Sequence, residues 1–195
     1  VVTLTEVQDS GGTANGGSDT ATLSVASTVS VTGVNDAPTL TATGSNPTFT
    51  EGGAAGSLFS GTSISTVEAG QTIEGLTLTV AGLADGARET LTLDGTAIGL
   101  SDGASGTTAT NSLSYSVSVV GTTATLSLTG GTLSVGAAEM LIDGASYQNN
   151  SQDPGTSNRV VTLTEVQDSG GTANGGSDTA TLSVASTVSV TGVND

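Results

Sequence analysis

The chain contains no cysteine, no histidine, no lysine and no tryptophan. Without cysteine there is no disulfide staple and no thiolate chemistry, and with histidine absent too, structural zinc lacks its usual ligands and is almost completely excluded. The commonest catalytic bases and nucleophiles are missing for the same reason. A carboxylate pair of glycosidase type is the one formal route left, with Glu68, Glu74 and Glu89 as candidates, and an enzyme is not expected. Two arginines, Arg88 and Arg159, face 18 acidic residues, giving a formal charge of −16. That balance excludes nucleic acid and anionic lipid as partners, since both need basic patches. No apolar run approaches the roughly 20 residues of a membrane helix, so direct membrane insertion is not expected. Aromatics are scarce as well, with two Phe and two Tyr. A core of Val, Leu, Ala and a few Ile suits two sheets packed about 10 Å apart better than a broad enzyme interior.

What the sequence does have is repetition. The segment VVTLTEVQDSGGTANGGSDTATLSVASTVSVTGVND fills positions 1–36 and recurs without change at 160–195, an offset of 159 residues. Complete identity over such a length points to a tandem array with that period, seen here as one full unit and part of its neighbour.

Apolar residues alternate with Ser and Thr over long stretches, the mark of strands with one buried face. Examples are Leu76, Leu78 and Val80; Leu91 and Leu93; Leu113, Tyr115, Val117 and Val119; and Ala124, Leu126 and Leu128. Turn signals separate them: Asp85-Gly86, Asp94-Gly95, Asp102-Gly103, Gly121-Thr122, Asp143-Gly144 and Asp153-Pro154-Gly155. One short helix is expected over Ser134–Asp143, with Ala138, Leu141 and Ile142 on its inner side. The pattern predicts an all-β fold, a Greek-key β-sandwich of eight or nine strands, closed by a hairpin of Val160–Val166 and Thr179–Val190. Residues 1–36 are then the C-terminal hairpin of the preceding repeat plus its linker, and 37–195 one complete repeat. An isolated hairpin is marginal in water, so Val1–Val31 is expected to pair with something, self-association included, or to stay loose.

The stretch VSVTGVNDAPTL, Val29–Leu40, resembles the junction of cadherin-like and Ig-like tandem domains in the stalks of giant bacterial surface adhesins of the RTX type. The acidic, Gly-rich loop before it and SISTVEAGQTIEGLTLTV are similar to elements of those repeats. The resemblance spans nearly the whole 159-residue unit. It implies a secreted, cell-surface protein built from rod-like sandwiches, with neighbouring identical repeats as partners and calcium at the joints. It places Asn35, Asp36, Asn194 and Asp195 at the linkers, Glu51 near the first strand, and Glu68 where the family carries an Asp-x-Asp element, here Thr66-Val67-Glu68. Gly33 stands where the fuller linker motif has an Asp.

The loop DSGGTANGGSD offers Asp9, Asn15 and Asp19, and in its second copy Asp168, Asn174 and Asp178. Its oxygens suit calcium, which takes about six to eight of them, and its composition equally suits a long soluble hairpin loop. The spacing matches neither an EF-hand nor a tandem nonapeptide roll. Asn149-Asn150-Ser151 is a formal glycosylation sequon. Thr-x-Thr pairs such as Thr77/Thr79 read as solvent-facing strand positions rather than ice-binding ranks. A stalk spacer is the function expected; the alternative is a binding or self-assembly module, carbohydrate-recognising or strand-donating.

Overall fold

The computed structural model describes residues 1–194, which divide into a small unit, Val1–Gly33, and a large unit that begins at Val34. Val34, Asn35 and Asp36 thus go with the large unit rather than with the hairpin that precedes them.

The small unit is one antiparallel hairpin, β1 (Val2–Gln8) and β2 (Thr20–Ser27). The large unit continues with β3 (Thr39–Gly44), β4 (Thr48–Thr50), β5 (Gly56–Ser57), β6 (Phe59–Ser65), β7 (Ile73–Ala81), β8 (Glu89–Leu93) and β9 (Thr96–Gly99). After these come β10 (Ser105–Thr107), β11 (Ser114–Val120), β12 (Thr123–Thr129), α1 (Val135–Asp143), β13 (Ser146–Asn149), β14 (Arg159–Asp168) and β15 (Thr179–Thr191).

The fold is an all-β sandwich. Its large sheet has the order β10-β11-β12-β7-β14-β15-β4, and the smaller one β5-β13-β8-β9, with β3-β6 as a separate ribbon. Strands β7, β10, β11 and β12 make the Greek key: three consecutive strands with β7 brought back beside the last of them. The alternation read from sequence is the alternation of burial. Leu76, Leu78 and Val80 of β7, Leu126 and Leu128 of β12, and Val161, Leu163 and Val166 of β14 all enter one core, where they meet Leu91, Leu93, Ile98 and Tyr147 from the other sheet. Phe49 and Tyr147 contact edge to face at 5.9 Å. On the solvent side, Thr125, Thr79 and Thr162 stand in one row across β12, β7 and β14.

The strands outnumber the expected eight or nine because β4, β5, β9, β10 and β13 are too short to carry a periodic signal. The turns follow their residues. Asp94 and Gly95 both have positive φ, 50° and 76°, as a two-residue hairpin of twisted strands requires. The helix begins where Ser134 accepts from the Ala137 N–H and buries Ala138, Leu141 and Ile142. Its carboxylates face a strand edge: Glu139 accepts from the Ile64 N–H at 2.9 Å, and Asp143 from the N–H and hydroxyl of Thr62. The open edge of β6 is thereby satisfied by side chains and closed to another strand.

Residues 35–51 track β15 along its whole length. The Ser177 N–H donates to the Asn35 carbonyl, Thr187 N–H to the Asn46 side chain, and Ser189 N–H to the Pro47 carbonyl. At the far end β4 pairs with β15 in parallel, Ser189 opposite Thr48. Gly44 passes so close to the Ala185 carbonyl that any Cβ would collide with it.

Candidate functional site: a loop that holds the incoming linker

The hairpin loop between β14 and β15 is a socket, and its occupant is Asn35. The Asn35 amide nitrogen donates to Asp168 Oδ1 at 3.0 Å, to the Gly171 carbonyl at 3.2 Å and to the Ser177 carbonyl at 2.8 Å. Its amide oxygen accepts from Gln71 Nε2 at 2.6 Å. The glycines of the loop make this possible: a Cβ on Gly170 would run into the Asn35 carboxamide, and one on Gly176 would press on its backbone at about 3.0 Å. Asn174 adopts φ +57°, the left-handed conformation that asparagine tolerates in tight turns. Asn174 therefore shapes the loop.

Next to Asn35, the Asp36 N–H donates to Glu68 Oε1 at 3.3 Å. Glu68 is presented by a tight turn in which its N–H returns to the Thr66 carbonyl at 2.7 Å and Val67 has φ +65°. For a β-branched residue this backbone is strained, and such strain persists only where the surroundings fix it. Three buried acceptors around the Asn35-Asp36 pair have no hydrogen-bond partner among the described residues: Glu68 Oε2, Gln71 Oε1 and Asp168 Oδ2. Asp168 is almost completely buried. A carboxylate oxygen left this way costs free energy unless a cation or water meets it.

The expected calcium residues are thus divided. Asn35 meets Asp168 at the socket, and Glu68 meets the backbone N–H of Asp36, whose own side chain is exposed. Asp178 does not join them: it closes the loop through its backbone, but its carboxylate accepts from Thr179 and Gln167, and it shares no partner with Asp168. The Thr179 hydroxyl, then Gln167, hold the Asp178 carboxyl below its usual value. In the first copy Asp9 accepts from the Gly11 N–H, and Asp19 from Gln8 and Thr20, which lower its pKa in that order. Asp9 and Asp19 likewise have no common side-chain partner. Glu51 lies at the other end of β15, where its Oε2 accepts from the Val193 N–H at 2.9 Å. Asn194 is exposed there, and Asp195 lies outside the described residues. Among the described residues no three Asp, Glu, His or Cys side chains form a metal-binding group.

A second charged cluster, which the sequence reading missed, is buried. Arg159 donates through Nε to Glu89 at 2.9 Å, through Nη2 to Asp85 at 2.7 Å, and through Nη1 to the carbonyls of Gly155 and Ser157. Tyr147 adds its hydroxyl to Glu89 at 2.6 Å, and Glu89 Oε1 accepts from the Ala84 and Asp85 N–H groups. Burial alone would raise the Glu89 pKa; the Arg159 guanidinium and the Tyr147 hydroxyl outweigh it and hold the carboxyl low. Burial, then the bond to Glu89, pushes the Tyr147 phenol up. Every charged atom of this knot is paired, so it pins the loops before β8 and β14 and leaves Glu89 no free lone pair for chemistry. Asn149 belongs to the same knot, buried and donating to Asp85 at 2.7 Å, so the sequon is closed to modification. Phe49, Phe59 and Tyr147 are core residues and Tyr115 is half-buried.

No protein-family model, curated protein or solved structure matches the chain. No helix among the described residues is long and apolar enough to cross a membrane.

Proposed function

We propose that the chain is a spacer repeat of a tandem array, a structural extender in the stalk of a secreted bacterial cell-surface adhesin. The observation that carries this reading is the position of the two linkers. Asn35 is bonded at the loop end of β15, and its counterpart Asn194 follows the opposite end of that strand. A unit that receives Val-Asn-Asp at one end and offers the same three residues at the other is built to be joined head to tail. Among the described residues the carbohydrate-binding alternative finds no fully exposed ring on which a sugar could stack, Tyr115 being half-buried and the other three aromatics buried.

The joint also suits a hard cation. Glu68, Gln71 and Asp168 each present a buried oxygen without a partner beside Asn35-Asp36, while Arg159, which makes the ion pairs among the described residues, is committed to Glu89 and Asp85. Calcium bound there would be held by two carboxylates and amide or backbone carbonyls, with water completing the shell. It would neutralise Asp168 and Glu68 and tie the incoming linker to the body of the unit.

The test is thermal melting in calcium and in chelator. With calcium at about 100 times its Kd, linkage gives roughly 2.7 kcal/mol, a rise in melting temperature of roughly 5–10 °C for a chain of this size. Glu68→Gln combined with Asp168→Asn should abolish the rise. Superimposable melts for the unaltered chain in both buffers would exclude the metal. A particle length by small-angle scattering that fails to grow in step with added repeats would exclude the spacer.

A further inference from the structure

The socket loop carries a reactive pair of residues that the bonds around it hold in check. Asn174 lies at its apex, exposed, and its carboxamide is none of the groups that hold Asn35. The next residue is Gly175, which has no side chain to shield its backbone nitrogen. A nitrogen left open in this way is free to attack the asparagine side chain that precedes it. We propose that Asn174 is a site of spontaneous deamidation, restrained while Asn35 is seated, and that the completed reaction loosens the hold on the linker.

The sequence has one other Asn-Gly pair, Asn15-Gly16, at the same place in the first copy and with a similar backbone, φ 56° and ψ 31°. The remaining asparagines are worse placed. Asn35 has its amide committed to the socket, Asn111 donates to Asp94 at 2.6 Å, and Asn149 is buried. Asn46 precedes Pro47, which has no N–H to react. Asn150, Asn158 and Asn194 precede Ser, Arg and Asp, whose side chains crowd the attacking nitrogen. In the reaction the Gly175 nitrogen, having given its proton to solvent base, forms a bond to Asn174 Cγ. The Cγ–Nδ2 bond breaks and the side-chain nitrogen leaves as ammonia. Water then opens the cyclic imide. Opening at Cγ leaves aspartate; opening at the backbone carbonyl leaves the chain running through the side chain, as isoaspartate. Water is consumed, ammonia is released, and no atom is oxidised or reduced.

The folded loop resists the first step. Ring closure needs Cβ and the Gly175 nitrogen on the same side of the Cα–C bond, and at ψ 23° they lie on opposite sides. The apex must therefore rotate, and Asn35 pins both its flanks. It donates to the Gly171 and Ser177 carbonyls and accepts from the Ser177 N–H. Ring closure is slow beside loop motion, so its rate follows the fraction of molecules with the loop open. The product then acts back on the seat. Either form adds a carboxylate to a loop that already holds Asp168 and Asp178, while Arg159 is committed to Glu89 and Asp85. Isoaspartate also lengthens the backbone by a methylene, within the turn where the Gly176 N–H meets the Ala173 carbonyl and Gly176 lies against Asn35.

The test keeps the full chain in warm, mildly alkaline buffer and then cuts it with trypsin. Cleavage after Arg88 and Arg159 puts the two copies in separate fragments. Mass spectrometry follows the exchange of ammonia for water residue by residue. In fragment 160–195 the gain should map to Asn174, as aspartate and isoaspartate together, rather than to Asn194, and Asn174→Gln should remove it. Asn35→Ala should speed the reaction at Asn174 about ten-fold, the equivalent of about 1.4 kcal/mol, and leave Asn15 at its former rate. Leu91→Ala weakens the core from the other sheet and separates loop opening from general loss of stability. At a temperature where both variants keep native circular dichroism, it should leave Asn174 at the unaltered rate. Equal rates with and without Asn35, an equal acceleration by Leu91→Ala, or no gain at Asn174 in any chain overturns the proposal. Hydrogen exchange reads the consequence. The Ser177 amide, which donates to the Asn35 carbonyl, should exchange about ten-fold faster in the aged chain; unchanged exchange overturns the loosening.

Discussion

Val1–Gly33 and Val160–Gly192 are one sequence in two surroundings, and comparing them separates what a sequence does alone from what packing adds. The turn is the same in both. Each loop closes with an aspartate N–H bonded to the second aspartate carbonyl at 2.8 Å, each shifts register after its leucine, and the loop asparagine has φ +56° in one and +57° in the other. The strands differ. β2 ends at Ser27, whereas β15 runs to Thr191, paired first with Val160 and Arg159 of β14 and then with β4. Burial differs most: Leu4 is 55% exposed and Leu163 0%, Val31 90% and Val190 6%. The five aliphatic side chains buried in one copy and bare in the other represent on the order of 10 kcal/mol of gross burial. Local residues fix the turn and the bulge; tertiary neighbours fix strand length and stability.

The comparison predicts that identical substitutions in the two copies have unequal effects. Leu163→Ala should cost about 4 kcal/mol in urea denaturation, and Leu4→Ala less than about 0.5 kcal/mol. Equal costs would mean that the N-terminal hairpin buries its leucine in solution. Arg159 sharpens the contrast, since it is the residue just before the duplicated stretch and anchors the start of β14. Arg159→Met leaves buried Glu89 and partly buried Asp85 without a counter-charge and should cost about 3 kcal/mol, read from the same denaturation curves.

The linker asparagines make the next pair. Asn35→Ala, or Gly170→Ala, which would push Asn35 out, should lower stability by about 2 kcal/mol. Asn194→Ala and Gly11→Ala should be close to neutral; Gly11 has only its neighbour Asp9 near the space a Cβ would fill. Calorimetry on the four variants checks this. The smallest effect is on pH. Glu89 has its carboxyl held below the ordinary 4.5 in the folded chain, so its contribution is complete above that value and is lost as pH falls through the lower folded one. The urea midpoint should be level from pH 7 to about pH 5 and then fall, more gently in Glu89→Gln, by about 1 kcal/mol.

Much of the sandwich was legible because Ser and Thr alternate with Val and Leu so cleanly in β7, β8, β11 and β12, and because Asp94-Gly95 and Gly121-Thr122 carry hairpin chemistry. The path of residues 35–51 was not, since a parallel pairing of three residues leaves no periodic trace. Asn35, Asp36, Glu68 and Asp168 were singled out as ligands; Asn35 does reach Asp168, but what Asp168 receives is an asparagine amide from 133 positions away, and Glu68 receives only the Asp36 backbone N–H. Nothing local in the sequence announces that meeting. The Arg159 knot escaped notice for a similar reason: Asp85 and Glu89 lie 74 and 70 positions from it. In a chain with two cations, asking which carboxylate each one serves would have been the signal to follow.

The parallel register of β4 on β15 bears on what happens when such a unit is put under tension. A pull on Asn35 draws the first strands toward the loop end, while a pull on Val193 draws β15 the other way. The hydrogen bonds that lace residues 35–51 to β15 are then loaded together, in shear, instead of being peeled apart one at a time. Rupture would require several bonds to fail at once, so resistance to force resides in the short strand and irregular segment that a count of sheet residues would pass over.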